Sequence, residues 1–318
     1  MLLESFRATG LAVAQIFILG VIGYILVKKD ILGLCGLDTL SRLAIEVTLP
    51  AMIFCQLIRD FSFQLYPDWW IYPLMSIAVT IAGLAVGAIF VFFINGHQKK
   101  AQFLSLVAFQ NSGYLPLALV AALIPPEQAG TIFIYLFLFL LGFNLVMFSL
   151  GVYILFLDKG SKFEWHSLFS PPVVATLASL FLVWVGLNKF VPDFVFKPIK
   201  LVGDCTLPLA IFVVGGNLAQ IRLKNIDKKA MSLLVLVKLV ILPLAGLLFL
   251  VKFRMPELIG LLLLIELAVP SATTLSALVR HYKKEDLLIS QGVFLTHLAG
   301  IITLPLFLSL YFMFIVIK

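Results

Sequence analysis

The sequence predicts an all-α polytopic membrane protein of ten transmembrane helices, arranged as two inverted five-helix repeats in which helices 4 and 9 are broken. Three observations predict it. Of 318 residues, 62% are apolar and only 12% charged, against roughly 45–50% and 25% in an ordinary soluble domain. The charges gather between long uncharged runs, among them Ala8 to Val27, Trp69 to Gly96 and Leu287 to Ile317. Each run reaches the ~20 residues that a bilayer core of ~30 Å requires of a helix. Finally, a motif of the first half recurs in the second, 158 residues on.

Taken in order, the spans fall near 8–27, 39–58, 69–94, 101–122, 129–157, 170–188, 198–219, 229–251, 257–279 and 287–315. The first exceeds the ~7–15 apolar residues of a signal-peptide core, and Lys28, Lys29 and Asp30 follow where a small-residue cleavage site would lie, so it reads as a span. Span 2 carries Glu46 and Pro50, and span 3 the pattern Gly83-Leu-Ala-Val-Gly87, which fits close packing within one bundle or a homodimer equally well. Spans 4 and 9 hold polar clusters at mid-length, span 7 holds Asp204 and Pro208, and span 8 holds Lys238. The longest connection, Asp158 to Ser170, has no room for a soluble domain, so residues 1–318 form one membrane domain with repeats of about 1–158 and 159–318.

Lys and Arg are more frequent in the loops after spans 1, 3, 5, 7 and 9, including Lys99, Lys100, Lys159, Lys162, Arg222, Lys224, Lys283 and Lys284. That side is expected to face the cytoplasm and both termini the outside, in a plasma membrane of the bacterial inner-membrane kind. The net charge of +7 is divided among short loops rather than laid on one face, which excludes nucleic acid as a partner. Cys35, Cys55 and Cys205 show no metal-ligand spacing, and no metal or cofactor is expected beyond a coupling ion, H⁺ or Na⁺.

The repeat is read from Glu46-Val-Thr-Leu-Pro50-Ala-Met-Ile-Phe54, which recurs as Asp204-Cys-Thr-Leu-Pro208-Leu-Ala-Ile-Phe212. An odd number of spans per half forces opposite orientations, the arrangement of many secondary transporters. Span 4 contains Gln110-Asn111-Ser112-Gly113-Tyr114-Leu115-Pro116, and its mate, span 9, contains Glu266-Leu-Ala-Val-Pro270-Ser271-Ala272-Thr273-Thr274. Both clusters lie at mid-membrane. Proline removes a backbone donor, Gly113 permits a break, and Ser271 is expected to cap the half-helix that follows it. Irregular backbone at that depth survives only inside protein or beside a water-filled cavity. Asn111, Ser112, Gly113, Pro116, Pro270, Ser271 and Thr273 are therefore the candidate substrate-binding residues, a pair of ordinary proline kinks being the plainer alternative.

Asn111-Ser112-Gly113-Tyr114-Leu115-Pro116 and Pro270-Ser271-Ala272 resemble the two crossover signatures of the auxin efflux carrier family, along essentially the whole chain. The resemblance implies an elevator-type carrier, related in fold to bile-acid/sodium symporters, that moves organic anions such as auxin, malonate or malate. The long loop that plant members carry between spans 5 and 6 is absent, so the chain is similar to the compact microbial members, whose substrates vary.

Ionisable residues deep in spans are costly and mark function by default. Lys238 and Glu266 both fall near the midplane, where they are expected to pair unless Lys238 meets a substrate carboxylate or snorkels toward the surface. Glu46, Asp204 and Glu266 each precede a proline by four residues, so the carbonyl freed would be the acid's own, a plausible site for a proton or Na⁺. The plainer alternative for Glu46 and Asp204 is an acid near a helix end that reaches water. His297, Gln291, Asn144 and Asn217 are read as interhelical hydrogen bonds rather than site residues.

The expected function is secondary active transport of a small organic anion by alternating access, with Lys238 as an anion contact. A sodium-coupled carrier like the bile-acid symporters is the alternative, then a channel or an intramembrane enzyme. The sequence contains no HExxH, GxSxG or GxxxxGK[ST] motif.

Overall fold

The structure, a computed structural model, describes residues 2–156, 168–221, 223, 225–281 and 287–316. Lys159, Lys162, Arg222, Lys224, Lys283 and Lys284 lie outside the described residues, as does most of the loop before Ser170.

The described residues are mostly helical. Helix α1 spans Leu2–Lys28; α2 (Leu34–Leu43) and α3 (Leu49–Asp60) are joined by a wide π turn, Ala44–Thr48; α4 is Ile71–Phe90. Helices α5 (His97–Ala108) and α6 (Tyr114–Leu123) are separated by five non-helical residues, after which come α7 (Pro126–Val146), a π turn Met147–Gly151 and α8 (Val152–Phe156). The second half continues with α9 (Pro171–Trp184), α10 (Asp193–Asp204), α11 (Thr206–Ala219) and α12 (Lys228–Leu236). A π turn at Val237–Ile241 leads into α13 (Leu242–Phe253), followed by α14 (Glu257–Ala268), α15 (Thr274–His281) and α16 (Leu287–Tyr311).

Seven of these helical stretches among the described residues are long and apolar enough to cross a membrane. Three of the expected spans are not, for identifiable reasons. The segment 101–122 is divided between α5 and α6, and 257–279 between α14 and α15, by backbone that cannot stay helical; α9 is 14 residues long, stopped by Gly186 in a left-handed conformation.

The π turns alter what the prolines do. Leu49 donates to Ala44 and Leu242 to Val237, five residues back, just before Pro50 and Pro243. In that register the carbonyl left facing Pro50 is Ile45's, not Glu46's. Asp204 closes α10 while Pro208 sits in the first turn of α11, where a missing donor costs nothing, and Pro270 lies outside any helix. The expectation that each acid's own carbonyl is freed by the proline four residues on is thereby corrected at Pro50 alone: Leu209 N donates to Cys205 O and Val269 N to Ile265 O, so the carbonyls that Pro208 and Pro270 leave without a donor are those of Asp204 and Glu266.

The middle stretches of α6, α7 and α14 are apolar because they are enclosed: Gly260–Ala268 is buried without interruption, as are Tyr114–Val120 and Leu136–Phe143. The outer helices instead turn residues such as Leu11, Ile18, Phe194 and Leu201 outward, as a lipid-facing surface does. A methyl group on Gly83 would come within 2.8 Å of the Ala108 Cα, so the Gly83–Gly87 face packs on α5 inside this chain rather than standing open. The two broken segments consequently meet at the centre of the bundle.

Candidate functional site

Asn, Ser and Gly are weak helix formers that compete for backbone hydrogen bonds, and proline lacks a donor, so helicity lapses at 109–113 and again at 269–273. Buried backbone groups must still find partners. They find them in each other. The two extended segments run antiparallel, Gln110 beside Ser271, with Asn111 N donating to Pro270 O at 2.8 Å and Ala272 N to Phe109 O at 2.9 Å. Ser271 Oγ donates to Leu106 O at 2.6 Å, so it caps the C-terminus of α5 and not, as expected, the half-helix that follows it. Ser271 N donates to Thr296 Oγ1 on α16.

Around this crossing the side chains are polar and enclosed. Asn111 Nδ2 lies 3.2 Å from His297 Nε2, and His297 Nδ1 lies 2.8 Å from Val293 O. Gln110 Nε2 reaches Glu266 Oε2 at 3.4 Å. Gln110, Ser112, Glu266, Lys238, Ser271 and His297 are all buried. No nitrogen–oxygen distance of 4.0 Å or less joins Lys238 to Glu266, so the expected direct ion pair is not formed. The π turn that carries Lys238 delivers it to the bundle interior without bringing it to the carboxylate. Gln110 Oε1, Ser112 Oγ and Glu266 Oε1 have no hydrogen-bond partner.

In front of the crossing lies a cavity of about 100 Å³. Asn111, Ser112 and Gly113 line it, and so do Tyr114, Asn144 and Thr274. Of the other candidates, Pro116 occupies the first turn of α6, Pro270 and Ser271 build the crossing, and Thr273 is buried one residue from the lining Thr274. Tyr114 Oη is buried and faces Ser41, and α6 begins at this cavity with no side chain capping its first amides. The N-terminus of α6 thus presents free donors and the positive end of its dipole to the cavity.

Glu46 and Asp204 stand elsewhere. Glu46 is 45% exposed and bound at 3.0 Å to Arg42; Asp204 is 56% exposed and bound at 2.7 Å to Lys200, the same spacing of four residues in both halves. Neither lines the cavity or touches the crossing. Sequence reasoning set aside His297 and Asn144, which the structure brings to the site. One signal for His297 was available, an uncharged but polar ring at mid-depth of an apolar 25-residue helix.

Compared with known proteins, residues 10–308 match the family model described as membrane transport protein. Over 124 residues the chain is 27% identical to Protein PIN-LIKES 6 of Arabidopsis thaliana. That stretch is 38% of this chain and spans only 29% of the relative.

Proposed function

The chain belongs to the membrane transport protein family of the auxin efflux carriers, and on that premise we propose that it is a secondary active carrier of a small organic anion, working by alternating access of the elevator type. The observation that carries this is the crossing. Two helices broken at equivalent points of the chain hold each other by backbone hydrogen bonds, and one of them opens the uncapped amides of its N-terminus into a cavity lined by Asn111, Ser112 and Gly113. Such donors suit a carboxylate.

In this reading the broken pairs α5–α6 and α14–α15, together with α9, complete ten spans in two inverted fives within a plasma membrane, both termini outward. Asn111, Ser112 and Gly113 contact substrate; Pro116, Pro270, Ser271 and Thr273 shape the break. Lys238, buried in the π turn before α13, does not line the cavity. Of the three acids, Glu266 suits coupling because it is buried against the substrate-contacting segment through Gln110, whereas Glu46 and Asp204 are half-exposed partners of cations on their own helices. A sodium-coupled variant draws support from the unpartnered oxygens of Gln110, Ser112 and Glu266, since Na⁺ takes oxygen ligands.

The test is a thermal-shift screen of the purified full chain against mono- and dicarboxylates, with and without Na⁺ at two pH values, followed by counterflow in proteoliposomes. A ligand bound only by the folded state raises the melting temperature. Stabilisation by one class of carboxylate and saturable, concentrative uptake of it are expected; leak-like, unsaturable flux or no response to any carboxylate would overturn the proposal.

A further inference from the structure

Resting on the carrier function proposed above, we infer that His297 is a positioning residue that fixes the orientation of the Asn111 amide, so that the cavity favours carboxylates that also carry a hydrogen-bond donor. A carbonyl oxygen only accepts, so His297 Nδ1, 2.8 Å from Val293 O, carries the proton. The ring is 0% exposed, and neither of its nitrogens meets a carboxylate. The ionisable side chains enclosed in the elements packed against α16 are Lys238, in the π turn before α13, and Glu266, on α14, and neither is hydrogen-bonded to the ring. The other charges of those elements, such as Arg7, Lys99, Lys228 and Lys252, sit at helix ends. A second proton on the ring would be a buried charge without a counterion.

With one proton, on Nδ1, the Nε2 atom is an acceptor. The Asn111 atom 3.2 Å from it must then be the amide nitrogen, which places Oδ1 on the opposite branch of the amide. Asn111 lines the cavity, and among the described residues nothing donates to its Oδ1. The uncapped α6 amides offer donors for a carboxylate, and Asn111 Oδ1 adds an acceptor beside them. A hydroxyl or N–H close to the substrate carboxylate satisfies that acceptor; a plain alkyl chain leaves it dry and unpaired. The favoured class is therefore hydroxy acids and N–H-bearing acids over their deoxy counterparts.

The test uses the purified full chain and isothermal titration with two matched pairs, malate against succinate and lactate against propionate. The hydroxy acid is expected to bind about tenfold more tightly in each pair, the effect of one hydrogen bond to a buried acceptor. In His297→Leu the amide is free to turn, and the preference should fall to about twofold or less while both acids still bind. Histidine-labelled ¹⁵N spectra of the wild-type protein should show one ring in the Nδ1–H tautomer whose Nε2 resonance moves in Asn111→Leu, a readout that stands even if His297→Leu prevents folding. Equal binding within the pairs, or a doubly protonated His297, would overturn the inference and leave the carrier function standing. Failure of every carboxylate to bind would defeat the carrier function and this inference with it.

Discussion

The hydroxyl of Ser271, on one broken helix, donates to the carbonyl of Leu106, on the other, across 165 residues of sequence and 2.6 Å of space. Leu106 lies in the last turn of α5, where carbonyls have no partner on their own helix. Ser271→Ala should therefore cost about 1–3 kcal/mol, the desolvation of an unmade buried acceptor, read as a lower melting temperature. It should also weaken anion binding, because the crossing sets the start of α6. A variant of unchanged stability and affinity would mean that the bond contributes nothing to the crossing.

Lys238 and Glu266 are both buried in the bundle and do not touch. Lys238→Met removes a compensating charge from a buried acid and should destabilise the fold; the double variant with Glu266→Gln should recover part of the loss. A double-mutant cycle in thermal stability is expected to give about 1 kcal/mol of coupling, below that of a contact pair. Strict additivity would show that the charges act independently.

Glu46→Gln and Asp204→Asn should change stability by about 0.5 kcal/mol or less, as exposed i,i+4 pairs do. Uptake driven by an imposed pH gradient in proteoliposomes should survive both and fail in Glu266→Gln, which still exchanges substrate. Loss of gradient-driven uptake in the first two variants would return those acids to the coupling mechanism.

Asp227 accepts from Lys99 Nζ at 2.7 Å and caps α12 by accepting from Ala230 N. Lys99 first, and then the Ala230 amide, hold its carboxyl below the ordinary range. A carboxylate whose pKa is depressed by folding stabilises the protein above its unfolded pKa of ~3.9 and loses that contribution as pH falls through the folded value. The stability gap between wild type and Asp227→Asn should thus be present at neutral pH, shrink in high salt because the pair is partly exposed, and close in strong acid. A gap that widened on acidification would contradict the assignment.

Single cysteines at positions 68 and 99 test the orientation. From outside intact cells, an impermeant reagent should label position 68 and spare position 99. Equal labelling would overturn the expected orientation of the first half.

The lengths and places of the apolar helices were legible in the sequence because the need to satisfy every backbone group within a bilayer is met segment by segment, so hydropathy alone records it. The breaks at Asn111-Ser112-Gly113 and Pro270-Ser271 were legible for the same local reason, since these residue types disfavour a helix wherever they stand. What the breaks do was not. That Asn111 N meets Pro270 O, that Ser271 caps α5, that His297 orients Asn111 and that Lys238 stops short of Glu266 depend on how far each helix is rotated and inserted against its neighbours. The π turns add to this by changing the register before Pro50 and Pro243, which rotates everything beyond them. Local propensity determines where a helix fails; only the packed bundle decides which groups, more than a hundred residues apart in sequence, then make up the hydrogen bonds it lost.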